Sequence, residues 1–275
     1  MRAPIDTIVA PLFPTRLPWV NAGGGAGGGA AGGGTQASII QRGRPMLVEF
    51  WDFCRPNSLR TLPYLKAWHE RYAEHGLRTI GVHCPGFEPA RDEGSVREAV
   101  ARLGVEYPVL IDSELVLWRE YENRGWPARY LFDGRARLFD YHYGEGGYVE
   151  TELAIQELLD VEREPLAPLR PEDAPGARLV PQTEDQPGLY SGPYEAGGVW
   201  TVLDGSGIVR FATSPGHAAY SGVAAGAGNG ASELTVTHPG AYRLIEHDRH
   251  TAGVLELEIG PGVRCHATCF TPGVA

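Results

Sequence analysis

Between residues 44 and 160 the apolar positions change period several times, and each change marks an element. Met46–Phe53 is an almost unbroken apolar run, the pattern of a strand covered on both faces. Arg60–His75 carries Leu62, Leu65, Trp68 and Tyr72 at helical spacing, and Gly76 stops it. Leu77–His83 predicts a second strand, Ser95–Leu103 a short helix closed by Gly104, Tyr107–Ile111 a third strand and Ser113–Tyr121 a helix. Ala128–Phe132 and Leu138–Tyr143 flank Asp133-Gly134, a dipeptide suited to a hairpin turn, and Tyr148–Leu159 is a closing amphipathic helix. This order predicts an α/β domain with a central mixed sheet, partly parallel, flanked by helices.

After residue 190 the pattern shortens. Trp200–Leu203, Ile208–Ala212, Glu233–Thr237, Ala241–Glu246, Val254–Ile259 and Cys265–Phe270 are separated by Gly, Pro, Asn and Asp, with no helical period between them. That predicts a C-terminal all-β sandwich domain. Residues 161–189 are rich in Pro and charge and read as a linker. Residues 1–43 read as an N-terminal extension holding a Gly-rich loop at 22–34. A phosphate-binding loop needs a preceding strand, a following helix and a Lys, and this run has none of them in its pattern.

The 275 residues suffice for a sizeable core, and the formal net charge of −10 offers no basic footprint for nucleic acid. No apolar run approaches the ~18 residues of a membrane span, and the first residues lack the apolar core of a signal peptide. The expectation is a cytoplasmic protein with no nucleic-acid or membrane partner. Four cysteines, Cys54, Cys84, Cys265 and Cys269, are too few for a disulfide framework.

The chemistry concentrates where the first strand ends, in Val48-Glu49-Phe50-Trp51-Asp52-Phe53-Cys54-Arg55-Pro56-Asn57-Ser58. Cys54 stands at or just before a helix start, beside Arg55. Free N–H groups and a cation favour a thiolate there, whereas a core-facing Cys54 is inert. Both readings of Cys54 stand. Cys84 ends the next strand, and adjacent parallel strands end on the same side as the start of the first helix, so Cys84 is considered as a second thiol near Cys54. His83 is a candidate base that strand alternation turns away from Cys84. No P-x-x-x-T-x-x-C run precedes Cys54, which argues against a peroxidase.

Segment 44–160 resembles the TlpA/DipZ-type redoxins of the thioredoxin superfamily. The resemblance rests on VEFWDF, RTLPYLKAWHERY, GLRTIGVHCPGF, YPVLIDSELVLWREYENRGWPARYLFD and YHYGEGGYVETELAIQELL. The C-terminal segments AYRLIEH and LELEIGPGV resemble, more weakly, the sandwich of some DipZ-type proteins. The family's dithiol is a Cys-x-x-Cys at the start of the first helix. Ungapped alignment from Phe50 to Pro63 puts Arg55 and Ser58 at those two positions, and no register restores the motif. The resemblance implies that Trp126-Pro127 is the loop whose cis proline faces the site. It also implies that Glu49 is the buried acid beneath it, able to move a proton; a partly solvated strand residue is the alternative.

Two functions follow. The first is a monothiol thiol–disulfide oxidoreductase that uses Cys54, with Cys84, Glu49 and Arg55 in support. Trp126, Pro127, Asn57 and Ser58 would receive a protein or small-molecule thiol or disulfide. The second is a non-catalytic module that keeps the peptide groove beside Pro127, while the β-sandwich binds a protein or a glycan. Trp200, Tyr190, Tyr194 and Tyr220 are candidates for a glycan platform or for core packing. Neither cofactor nor metal is expected. On one strand Cys265 and Cys269 would share a side, roughly 13 Å apart, too far for a disulfide or a common metal.

Overall fold

The computed structural model describes residues 7–22, 43–214, 224–225 and 232–275. Beyond Ala22 the Gly-rich run of 22–34 lies outside the described residues, as does Tyr220. The chain divides into two compact units, Met1–Phe53 with Asn57–Pro168, and Cys54–Pro56 with Leu169–Ala275. Each is described by itself.

The first unit is built on strands β1 (Trp19–Val20), β2 (Met46–Trp51), β3 (Arg78–His83), β4 (Val109–Ile111), β5 (Ala128–Phe132) and β6 (Leu138–Tyr143). They form one mixed sheet in the order β1-β4-β3-β2-β5-β6. β2, β3 and β4 run parallel, while β1, β5 and β6 pair antiparallel with their neighbours. Every residue of β2 is buried, as its unbroken apolar run requires of a central strand. The helices are α1 (Pro56–Tyr72), α2 (Glu93–Arg102), α3 (Val116–Glu120) and α4 (Tyr148–Leu159).

The two faces of this sheet differ chemically. Met46, Val48 and Phe50 of β2 join Ile80, Val82, Cys84, Leu110 and Leu117 in one apolar cluster. By strand alternation Leu47, Glu49 and Trp51 face the other way, with Thr79, Gly81 and His83 of β3. On that side Tyr64 of α1 stacks on Tyr148 of α4, with centroids 3.7 Å apart. Glu152 of α4 joins the layers. Its carboxylate accepts bonds from Trp68 Nε1 at 3.1 Å, Tyr72 Oη at 2.7 Å and the Leu166 N–H at 2.8 Å.

Helix α1 starts earlier than the apolar spacing predicts, at Pro56 rather than Arg60. Pro is favoured in a first turn, where its missing N–H has no partner to lose. The chain leaves the helix through Gly76 at φ +100, in the left-handed region where Gly is favoured. The Asp133-Gly134 turn is fixed by Asp133 Oδ1, which accepts the N–H groups of Arg135 and Arg137, each at 2.8 Å. Among the described residues no helix is long and apolar enough to cross a membrane.

The second unit is all-β. Its strands are β7 (Leu179–Val180), β8 (Gln186–Pro187), β9 (Gly192–Gly205), β10 (Gly207–Ser214), β11 (Ala224–Ala225), β12 (Ser232–Val236), β13 (Gly240–Ile259), β14 (Val263–Thr271) and β15 (Gly273–Val274). Seven of them form one antiparallel ladder, β11-β12-β10-β13-β9-β14-β8, and β15 pairs with β7. The span 161–189, read from sequence as a linker, therefore contains β7 and β8. β13 runs for 20 residues and shifts register twice, between Arg243 and Ile245 and between Glu246 and Thr251. Such bulges bend a strand and increase its twist.

A third register shift, between Cys265 and Ala267, corrects the expectation for the two C-terminal cysteines. The extra residue reverses the alternation. Cys265 packs on the apolar cluster that includes Phe270. Cys269 pairs with Trp200, next to the Phe270–Val199 pair, and so faces away from that cluster. Burial pushes both thiols above the ordinary cysteine range.

Candidate functional site

At the end of β2 the chain turns into α1, and the turn is locked by side chains. The Asp52 N–H donates to Ser58 Oγ at 3.2 Å, and Ser58 is buried. Asp52 is also buried. Its Oδ2 accepts the Gly86 N–H at 2.7 Å, and its Oδ1 lies 3.6 Å from His83 Nε2. The His83 ring stacks on Phe53 at 5.2 Å and meets the edge of Trp51 at 5.3 Å.

Cys84 follows His83 and belongs to the opposite face. Its N–H donates to the Trp51 carbonyl at 2.9 Å, which extends the parallel ladder by one rung. Its thiol donates to Asp112 Oδ2 at 3.6 Å. The Asp112 carboxylate also accepts the N–H groups of Val116 at 2.7 Å and Trp118 at 3.0 Å, at the start of α3. Burial first, then the Asp112 charge, push the Cys84 thiol well above the ordinary range.

The Trp126–Pro127 peptide is cis. Trp126 Nε1 donates to the Cys84 carbonyl at 2.8 Å, and the ring packs on Trp118 with centroids 4.2 Å apart. The Pro127 carbonyl accepts the Gly144 N–H at 2.8 Å. Pro127 is buried, and Trp126 is half-buried.

The sequence-marked residues thus fall into separate groups. Cys84 and Trp126 are joined by a hydrogen bond. Ser58 joins Asp52 rather than a thiol. Glu49 lies on the other face of the sheet from Cys84. Arg55 and Asn57 are half-buried beside the start of α1, and Cys54 is fully buried. No cysteine is in a disulfide. Burial pushes Glu49 from 4.5 up to about 8, against the opposing pull of Arg129. Within either unit taken alone, the described residues bring no three His, Cys, Asp or Glu ligand atoms together.

Asp52, Asp112 and Arg129 were missed as site residues. The available signal was a charged residue inside an apolar strand pattern, as in Phe50-Trp51-Asp52-Phe53 and Ala128-Arg129-Tyr130-Leu131. Such a residue is buried only with a partner, and the partner is set by the fold.

A mixed sheet with parallel central strands, a helix springing from the end of β2 and a proline loop bonded to the end of β3 give the first unit a thioredoxin-like fold. In sequence it is similar to Protein DipZ of Mycobacterium bovis, with 34% identity over 148 residues, or 52% of this chain and 21% of DipZ. Thiol-disulfide oxidoreductase YkuV of Bacillus subtilis is 27% identical over 116 residues, 42% of this chain and 78% of YkuV. A thioredoxin-like protein whose structure was solved in solution in the oxidized form shares 24% identity at a TM-score of 0.46, covering 56% of this chain and 97% of its own. The chain spans about a fifth of the length of DipZ. No family model matches it.

Proposed function

We propose that the first unit is a redoxin scaffold that serves as a recognition module and does not turn over disulfides. The observation that carries this reading is burial, since Cys84, the thiol that belongs to this unit, is 0% exposed. A thiolate must reach a disulfide to attack it, and burial keeps the Cys84 thiol protonated. Ser58 stands at the position from which the family's second thiol releases a mixed disulfide, and an alcohol does not perform that exchange. The proposed ligand of this unit is a peptide beside Pro127, contacting Trp126 and Asn57. The β-rich unit is proposed to carry a protein or glycan ligand.

A disulfide-reduction assay on insulin tests the reading. The native chain is expected to show no turnover above the reductant alone. The double variant Arg55→Cys, Ser58→Cys is expected to gain turnover, because it restores the dithiol at the helix start. Native turnover overturns the proposal.

A second reading keeps monothiol chemistry at Cys54, favoured by its place just before Pro56, where α1 begins. Native turnover that Cys54→Ser abolishes selects this reading.

A further inference from the structure

The first unit holds a cavity of about 570 Å³ that the proposed recognition does not use, since Trp126, Pro127 and Asn57 are not among its lining residues. A volume of this size suits a small organic molecule. Tyr130 and Phe132, two residues apart on one face of β5, line it together with Tyr143 of β6 and Tyr121, just past α3. The rings stand steeply to one another. Tyr121 meets Tyr130 at 72° with centroids 5.3 Å apart, and Phe132 at 86° and 6.0 Å. Tyr130 meets Tyr143 at 88° and 5.9 Å.

Two observations bear on what this cavity holds. The first is an unfilled hydrogen bond. Tyr130 Oη donates to Asn123 Oδ1 at 3.0 Å and lies 3.3 Å from Tyr143 Oη. Tyr121 is only 8% exposed, and its hydroxyl is buried with no hydrogen-bond partner among the described residues. Such a hydroxyl is uncommon in a folded protein, and here it lines a space large enough for a ligand atom to complete the bond. The second is charge. The charged lining residues are Glu120, Glu122 and Arg124, all exposed, so two carboxylates stand against one guanidinium. Burial, and then the Glu120 charge, push the Tyr121 hydroxyl above the ordinary tyrosine range. It stays neutral and offers its lone pairs, and the negative field that holds its proton also favours a cation beside it.

We propose that this cavity binds a small organic ammonium ion, its apolar body among the rings and an N–H group donating to Tyr121 Oη. Ring faces carry negative potential and attract a cation, most strongly where water is shut out. Glu120 and Glu122 add to the attraction, and Arg124 opposes it. The apolar body covers surface that is otherwise wet, since Tyr143 is 43% exposed. An anion of the same size gains Arg124 alone and meets both carboxylates and the ring faces.

The test is titration of the full chain at neutral pH with phenethylammonium, followed by nuclear magnetic resonance, beside two probes of similar size. Benzyltrimethylammonium keeps the charge and lacks an N–H; phenylethanol keeps the ring and lacks the charge. Both cations should shift the ring signals of Tyr121 and Tyr143 and bind tighter than phenylethanol by about fivefold or more. Tyr121→Phe should weaken phenethylammonium by about tenfold or more and leave benzyltrimethylammonium within about twofold. Arg124→Gln should tighten both cations. Glu120→Gln with Glu122→Gln should weaken both, with losses that shrink at high salt. The proposal is overturned if phenethylammonium does not bind, if phenylethanol binds equally well, or if the shifts fall elsewhere in the chain. An unchanged phenethylammonium affinity in folded Tyr121→Phe overturns it as well. Should Tyr121→Phe fail to fold, the comparison of the three probes on the native chain decides.

Discussion

Glu49 lies in the middle of β2 with its carboxyl shut away from water, and the cost of charging it there ties the fold to pH. Its proton is held more tightly in the folded chain than in the unfolded one, from 4.5 up to about 8. The folded state is therefore favoured most below the ordinary carboxyl value, and the contribution is lost as pH rises from about 4.5 through about 8. Glu49→Gln removes the titration and keeps the shape. Its melting temperature should fall less than that of the native chain between pH 5 and pH 8, ~3 units that cover most of the shift. Equal falls in the two proteins would show that Glu49 is charged in the fold at neutral pH. Ser58 makes the companion point, since its hydroxyl serves the Asp52 N–H and closes the turn that a redoxin uses for its chemistry.

At the scale of elements, one carboxylate gathers several of the bonds that tie α1 to α4. Glu152 accepts from Trp68 and Tyr72 of α1 and from the Leu166 N–H, and Arg71 Nε lies 3.3 Å from it. Glu152→Ala leaves buried donors without an acceptor, at about 1–3 kcal/mol for each group left unpaired. The urea midpoint should drop accordingly, with Glu152→Gln intermediate; an unchanged midpoint would mean that water replaces the carboxylate. The hub was not legible in the sequence, where Glu152 is one polar position in a helical pattern. The hairpin of β5 and β6 and the helix α4 were legible to the residue, because period and turn chemistry agree there. The start of α1 was not, because Pro56, Asn57 and Ser58 read as loop residues until Ser58 is seen to bond back to Asp52. β1 was missed as well, being two residues long on the sheet edge.

At the scale of the whole molecule, the division into an α/β unit and an all-β unit was legible, because helical and strand periods alternate up to Leu159 and no helical period returns after residue 190. The site was legible in part. The sequence located the end of β2, the Trp126-Pro127 loop and Cys84, all of which the fold places at the ends of the central strands. Whether a thiol faces solvent depends on packing from elements far apart in the chain, and no local pattern at Cys54 carries that information. On the proposed reading, the redoxin scaffold has no thiol open to attack. Alkylation with iodoacetamide at neutral pH, with and without guanidinium, followed by peptide mass mapping, tests it most directly. Cys54 and Cys84 should stay unmodified in the native chain and react once it is unfolded. Rapid native labelling of Cys54 would contradict it.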